Sequence, residues 1–287
     1  MFLMDWLSKS LLFVFLIASM FSIGLQSTTD AVRSQVAAKH LFFRLLTANF
    51  VVIPLLGVAI ARGLSLAPEV KMAFVLLACA PGGISAVQFT SKIREFQFFA
   101  GTVAFFLSFL ALFISPLLIA LFLPAGISVV LPYGRILFSV VLLLLLPLVA
   151  GILLRRWRGP MAAKLSQPFA LIGSIAFVAG VLLIMSERKE AMKAIGSEAV
   201  LAMLLFIILS MLVGWFMGGP ARETRQVFAT ATSMRNSALC LVIALESFPG
   251  PKGYAPLVAF SALMIPPNAL FTIFSLVQEK RRPKKVT

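Results

Sequence analysis

Charge and chemically reactive side chains are scarce in this sequence. Of 287 residues, 12% are charged, with 10 Asp or Glu, one His and two Cys. Cys79 and Cys240 each lie in an apolar run without metal-ligand spacing, so we interpret them as small buried hydrophobes. No HExxH or GxSxG pattern occurs and no two carboxylates share an apolar run. We therefore do not expect an enzyme, a metal site or a cofactor.

Apolar residues dominate instead. They make up 61% of the chain, and the mean hydropathy is +1.04, whereas soluble domains are about half apolar and a quarter charged. A helix that spans a bilayer needs about 20 apolar residues, because lipid offers the backbone no hydrogen-bond partner. The sequence predicts an all-α integral membrane protein with about nine transmembrane helices and no soluble domain. The predicted spans are 8–26, 41–62, 70–91, 96–123, 132–154, 166–185, 196–217, 225–247 and 254–277.

The basic residues predict the orientation. A net charge of +15 would indicate a nucleic-acid partner only on a soluble module with a basic face, so none is expected. With nine spans and an outside N-terminus, 16 basic residues fall inside and 8 outside, and Arg235 lies in mid-span. The positive-inside rule then places the C-terminus, with a basic tail at 279–287, in the cytoplasm. The first span lacks a basic n-region and a cleavage site, so we expect it to be retained in the cell (inner or plasma) membrane.

Two predicted spans are interrupted in their middle. The third contains Pro81-Gly82-Gly83, which removes a backbone donor and should end the helix. The eighth places polar side chains inside an apolar run: Thr230, Thr232, Ser233, Arg235, Asn236 and Ser237. Hydroxyls and amides can simply join helices. An arginine at a helix centre costs about 2.5–3.5 kcal/mol, however, and such residues usually line a pathway.

The two interruptions occupy matching places. If span one begins one four-helix repeat and span six another, the interrupted span is third in each, and the repeats have opposite orientations. We predict inverted repeats at about 8–123 and 132–278, with span five unmatched, in one transporter domain covering 1–287. Paired interruptions in inverted halves indicate a transport site near the membrane midplane.

Three motifs make the chain resemble the bile acid:sodium symporter family. They are Met20-Phe21-Ser22-Ile23-Gly24-Leu25, Ala80-Pro81-Gly82-Gly83 and Met234-Arg235-Asn236-Ser237-Ala238-Leu239. The likeness extends from about Phe15 to the last span. It implies a core domain with two broken, crossing helices, a smaller panel domain that moves against it for alternating access, and an outside N-terminus for nine-span members.

The sodium ligands of that family are replaced here. The resemblance places the family's Ser-Asn pair, two helix hydroxyls and glutamate on residues without a side-chain oxygen: Ala86, Val87, Ala100, Ala104 and Ala231. It places one family glutamine on Arg235 and another on Asn49. A sodium ion about 4 Å from a guanidinium would be repelled by about 4 kcal/mol at an effective dielectric of 20, nearly three decades of affinity. We therefore expect no sodium partner.

Arg235 is then predicted to be a tethered cation where relatives bind a mobile one. With the amides that follow Gly82 and Gly83 at a half-helix N-terminus, it would attract a carboxylate. This predicts a sodium-independent secondary transporter of small organic anions, namely carboxylates, amphipathic ones included. The predicted substrate-binding residues are Asn49, Gly82, Gly83, Ile84, Ser85, Gln88, Thr232, Ser233, Arg235, Asn236, Ser237 and Asn268. Asn268 either substitutes for a His-Asn pair of relatives, or Pro266-Pro267 beside it is only a kink.

Two alternatives keep the same fold. Transport could be coupled to sodium or protons elsewhere, although Glu95 and Glu246, the only acidic residues able to approach the site, lie near span ends and are interpreted as interfacial. The loss of coupling-ion ligands would also suit a non-transporting receptor on a transporter scaffold.

Overall fold

The computed structural model describes residues 2–26, 39–82, 97–123, 134, 138–139, 141–187, 195–247 and 251–280. Every regular element in these ranges is helical. The α-helices are α1 Phe2–Gln26, α2 Lys39–Thr47, α3 Ile53–Gly63, α4 Pro68–Cys79, α5 Gln97–Phe122, α6 Leu146–Trp157, α7 Gly159–Glu187, α8 Gly196–Met217, α9 Arg222–Ser233, α10 Ser237–Ser247, α11 Pro251–Leu263 and α12 Ile265–Lys280. Wider π-helical turns, Ala48–Val52 and Val141–Leu145, lead into α3 and α6.

Four stretches of the described chain are long and apolar enough to cross a membrane: Lys39–Gly63, Gly159–Gly180, Gly196–Met217 and Ala255–Gln278. Shorter apolar helices cover Phe13–Gln26 and Phe106–Phe122. Each of the nine predicted spans contains helix, which confirms the all-α membrane class. Span eight is divided into α9 and α10, of 12 and 11 residues, and the described helix of span three, α4, has 12 residues. α7 begins at Gly159, earlier than the predicted 166.

One set of helices, α1, α6 and α7, packs together, and we call it the panel group. Gly24 of α1 faces Gly151 of α6 so closely that a Cβ on Gly151 would lie 2.9 Å from the Cα of Gly24. Ser22 Oγ donates to the carbonyl oxygen of Ser166 on α7 at 2.8 Å. The motif at 20–25 therefore holds these helices in close backbone contact.

The remaining helices form the core group, with α4 and α9 at its centre. α4 contacts α3, α5, α10 and α11, and α9 contacts α5, α8 and α12. The fully buried rings of Phe74, Phe206 and Phe260 pack with centroids 4.9 to 5.8 Å apart, which ties α4 to α8 and α11. The panel group meets the core group where α1 contacts α5 and α7 contacts α11.

Three breaks interrupt helices in the described part of the core group, and the sequence predicts the first two. α4 ends at Cys79, before Pro81, and α9 ends at Ser233, with three residues between it and the start of α10. Met234 leaves the helix in an extended conformation, with φ −87° and ψ 106°. The third break is at Met264, between α11 and α12, so Pro266 and Pro267 lie in the first turn of α12. Proline is tolerated there because first-turn amides have no intrahelical partner.

Candidate functional site

The two predicted breaks meet each other. The backbone N–H of Asn236 donates to the carbonyl oxygen of Ala80 at 3.0 Å. Gly82 lies against α9, where a Cβ would be 2.7 Å from the carbonyl oxygen of Ala231. Ser108 Oγ on α5 donates to the Gly82 carbonyl at 3.4 Å. Glycine at 82 is thus required by close backbone approach, and the broken segments satisfy part of each other's hydrogen bonding.

Arg235 caps the end of α4. Its side chain is 2% exposed; Nε donates to the carbonyl oxygen of Leu77 at 2.9 Å and Nη2 to that of Ala78 at 2.6 Å. Carbonyls in the last turn of a helix have no intrahelical partner and form the negative end of its dipole. The guanidinium therefore lies where a half-helix attracts a cation.

The same guanidinium also bonds two other elements. Nη1 donates to Oδ1 of Asn49 at 2.9 Å and to the carbonyl oxygen of Thr232, in the last turn of α9, at 3.2 Å. Four of its five N–H groups thus bond oxygen atoms, three of them backbone carbonyls at the ends of two half-helices. Asn49 lies in the π-helical turn, a distortion common at functional sites.

The predicted hydroxyls contact neighbouring helices. Thr232 Oγ1 lies 2.7 Å from the carbonyl oxygen of Ser210 on α8. Ser233 Oγ lies 2.7 Å from Oδ1 of Asn268 on α12 and also 2.7 Å from the carbonyl oxygen of Ala229. In this conformation, both side chains join helices.

Asn268 is brought to the site by the third break. It is fully buried, and its Nδ2 donates to the carbonyl oxygen of Met264 at 2.9 Å. The Sδ of Met264 accepts the backbone N–H of Arg235 at 3.3 Å. Asn268 therefore contacts the broken span, and the proline pair begins α12. That Asn268 binds substrate stays a prediction. Sequence reasoning missed Met264, whose only signal was its position just before two prolines.

Asn236 begins α10. Its Oδ1 accepts the backbone N–H of Leu239 at 3.1 Å, which is the usual N-cap contact. Its Nδ2 is buried and has no hydrogen-bond partner among the described residues. Ser237 follows as the first residue of α10 and is 8% exposed. An unused donor thus lies at the positive end of a half-helix.

The remaining predicted residues cannot be placed at this site. Gly83, Ile84, Ser85 and Gln88 lie outside the described residues, as do Ala86, Val87 and Glu95. The side chains of Ala100, Ala104 and Glu246 are likewise not described. Among the described residues, no group of three or more His, Cys, Asp or Glu side chains could hold a metal ion.

Comparison with known proteins identifies the family. The model of the SBF-like CPA transporter family matches residues 5–278. The chain is 26% identical over 266 residues to the uncharacterized sodium-dependent transporter YocS of Bacillus subtilis, covering 90% of this chain and 80% of that one. It is 23% identical over 287 residues to the probable chloroplastic sodium/metabolite cotransporter BASS1 of Arabidopsis thaliana, covering 98% and 70%. A rice relative, the probable sodium/metabolite cotransporter BASS2, is 25% identical over 260 residues, covering 87% and 60%.

The matched range, 5–278, contains both broken spans, the π-helical turn at Ala48–Val52 and Asn268. All described residues of the candidate site therefore lie within the family match. The resemblance to the bile acid:sodium symporter family that the three motifs indicated is confirmed. The chain belongs to the SBF-like CPA transporter family and is an integral membrane transporter, not an enzyme.

Proposed function

We propose that this chain is a secondary transporter of small organic anions that works by alternating access without sodium, with Arg235 in place of the coupling cation. The substrates are carboxylates, including amphipathic ones. The proposal keeps two inverted repeats, at about 8–123 and 132–278, and an outside N-terminus with a cytoplasmic C-terminus. The basic-residue distribution and the position of each break within its half support this arrangement.

The observation that carries the proposal is the location of the Arg235 guanidinium between two half-helix C-termini. Each helix C-terminus is equivalent to roughly half a negative charge. The two ends, at Leu77 and Ala78 of one break and Thr232 of the other, therefore stabilise one buried positive charge without cancelling it, because a helix dipole carries no net charge. Arg235 supplies that charge permanently, so no mobile cation is needed to stabilise the crossing.

The N-termini of the half-helices, which are the positive ends of their dipoles, then remain available to bind an anion. α10 presents its N-terminus at Ser237, and beside it lies Nδ2 of Asn236, which has no hydrogen-bond partner within the described ranges. Helix N-termini with free donors bind carboxylates and phosphates readily. The buried positive charge of Arg235, one residue before Asn236, adds electrostatic attraction for the same ligand.

The sodium-coupled alternative is favoured by the names of the relatives, which are sodium-dependent or probable sodium/metabolite cotransporters. For this chain, it requires a sodium site away from Arg235, because the guanidinium and a sodium ion would repel each other at contact distance. Measured sodium dependence decides between the two proposals.

A thermal-shift screen tests the proposal. Purified protein is heated with a panel of organic anions, once in sodium buffer and once in choline buffer. We expect at least one carboxylate to raise Tm equally in both buffers, since a ligand at 100 times its Kd stabilises the folded state by about 2.7 kcal/mol. Uptake of that carboxylate into proteoliposomes should also be the same in both buffers.

Two variants make the test specific. Arg235→Gln removes the buried charge, and Arg62→Gln makes the same change at an exposed position at the end of α3. The anion should no longer stabilise Arg235→Gln but should stabilise Arg62→Gln as it does the natural protein. Stabilisation or uptake that needs sodium would overturn the proposal. Binding without any uptake would indicate a receptor.

A further inference from the structure

Arg235 is the only charged side chain among the buried residues of the described ranges. Its hydrogen-bond partners there are all neutral: the carbonyls of Leu77, Ala78 and Thr232 and the amide of Asn49. Carbonyl oxygens solvate a guanidinium without cancelling its charge, because only an ionised carboxylate would do that. The described part of the core group thus holds one fixed, uncompensated positive charge in its interior.

We infer that this charge selects singly charged anions and that net transport runs as electrogenic export down the membrane potential. The inference rests on the proposed function, that is, on an organic anion carried without sodium. One carboxylate bound near Arg235 makes the loaded interior neutral. A second carboxylate on the same ligand would remain uncompensated away from water, where an unpaired charge is strongly disfavoured.

The tethered cation also determines how transport responds to voltage. A sodium symporter carries positive charge together with its substrate, but a guanidinium cannot leave with the anion. Each net transport cycle therefore moves one negative charge. At 100 mV, negative inside, the equilibrium for a monovalent anion favours the outside by about 50-fold. This direction does not depend on which way the chain is inserted.

Exchange behaves differently from net transport. When the carrier returns loaded with a second anion, both crossings are made with Arg235 neutralised, so no net charge moves in either step. Exchange of one monocarboxylate for another should then be insensitive to voltage, while the return of the empty, positively charged carrier should not be. This difference is the signature of a single fixed charge paired with a single ligand charge.

The charge selection is tested by binding to the full-length protein in choline buffer. The probes are matched pairs with one or two carboxylates on similar skeletons: gluconate and glucarate, hexanoate and adipate, benzoate and phthalate. We expect the most effective monocarboxylate to stabilise the protein at a concentration at least 10-fold lower than its dicarboxylate partner. Equal or stronger stabilisation by the dicarboxylates would overturn the inference and leave the proposed function intact, whereas no stabilisation by any probe would count against the proposed function itself.

The voltage dependence is tested in proteoliposomes with that monocarboxylate, radiolabelled and at equal concentration on both sides. Internal potassium with valinomycin makes the interior negative, and protein-free liposomes correct for leakage. We expect net efflux toward a ratio of about 50-fold per 100 mV, and an exchange rate against unlabelled anion that stays within about 1.5-fold as the potential is varied. Exchange that follows the potential, or accumulation driven by a pH gradient, would overturn the inference; accumulation driven by sodium would overturn the proposed function.

Discussion

Arg235 and Asn49, 186 residues apart in sequence, are joined by a hydrogen bond of 2.9 Å from Nη1 to Oδ1. The amide of Asn49 is oriented by its Nδ2, which donates to the carbonyl oxygen of Leu45 at 3.1 Å. Its oxygen therefore faces the guanidinium and its nitrogen faces its own helix. Asn49 contributes an acceptor without contributing charge, so the positive charge of Arg235 remains available to a ligand.

Replacing Asn49 by Asp should prevent the positive charge of Arg235 from attracting an anionic ligand. The new carboxylate would accept the same hydrogen bond and neutralise Arg235. At an effective dielectric of 20, a negative charge about 8 Å from a bound anion opposes it by about 2 kcal/mol, about a 30-fold loss of affinity. Titration of the stabilising carboxylate by thermal shift or calorimetry measures this. Asn49→Asp with unchanged affinity would show that the ligand does not sense the charge of Arg235.

Removing the guanidinium should destabilise the core group. Arg235→Met leaves the carbonyl oxygens of Ala78 and Thr232 and the amide oxygen of Asn49 without the donor that Arg235 supplies, and each unsatisfied buried group costs about 1–3 kcal/mol. The Leu77 carbonyl keeps the backbone N–H of Ala80. We expect a Tm lower by at least about 5 °C in detergent. Arg62→Met, at an exposed site, should change Tm by less than 1–2 °C. If both variants melt at the same temperature as the natural protein, Arg235 does not stabilise the packing of the two broken segments against each other.

Gly82 should not tolerate even a methyl group. In Gly82→Ala the Cβ would lie 2.7 Å from the carbonyl oxygen of Ala231, a backbone atom that cannot move aside without shifting α9. We expect transport to fall at least about 10-fold, equivalent to about 1.4 kcal/mol. Gly63→Ala is the matched control, because a Cβ there meets nothing within 4 Å. Equal transport by the two variants would contradict the close approach of the broken segments.

The contact between Ser233 and Asn268 should show energetic coupling. The Ser233→Ala, Asn268→Ala and double variants form a cycle, and hydrogen bonds between membrane helices give coupling energies of about 0.6 kcal/mol on average and up to about 1.7. Unfolding in denaturant measures the free energies. A control cycle of Ser233 with Thr272, whose Oγ1 donates to the Asn268 carbonyl, should give weaker coupling. Additive effects of Ser233→Ala and Asn268→Ala would show that the 2.7 Å contact contributes nothing.

The sequence predicted the first break because proline and glycine act through local backbone chemistry, and it predicted the second from polar side chains, above all an arginine, that are costly in an apolar span. It could not identify the partners of Arg235 at Leu77, Ala78 and Thr232, since every residue carries a carbonyl and only the packing of the break between α9 and α10 against the end of α4 decides which ones are reached. Nor could it distinguish a pathway hydroxyl from a helix-joining one at Thr232 and Ser233. The break at Met264 has a local cause, since Pro266 and Pro267 have no N–H to continue the preceding helix, but its contact with Arg235 depends on tertiary packing.

The hydrogen bond from Asn236 to Ala80 links two main-chain segments, so only proline at 236, which lacks the N–H, would remove one of its two groups. Each break supplies a backbone hydrogen-bond partner to the other. Converting one break into continuous helix would leave a donor or an acceptor of the other break without a partner. The pair must therefore be inherited or engineered as a unit. A chimera that takes both segments from one relative should therefore fold more readily than a chimera that takes the two segments from different relatives.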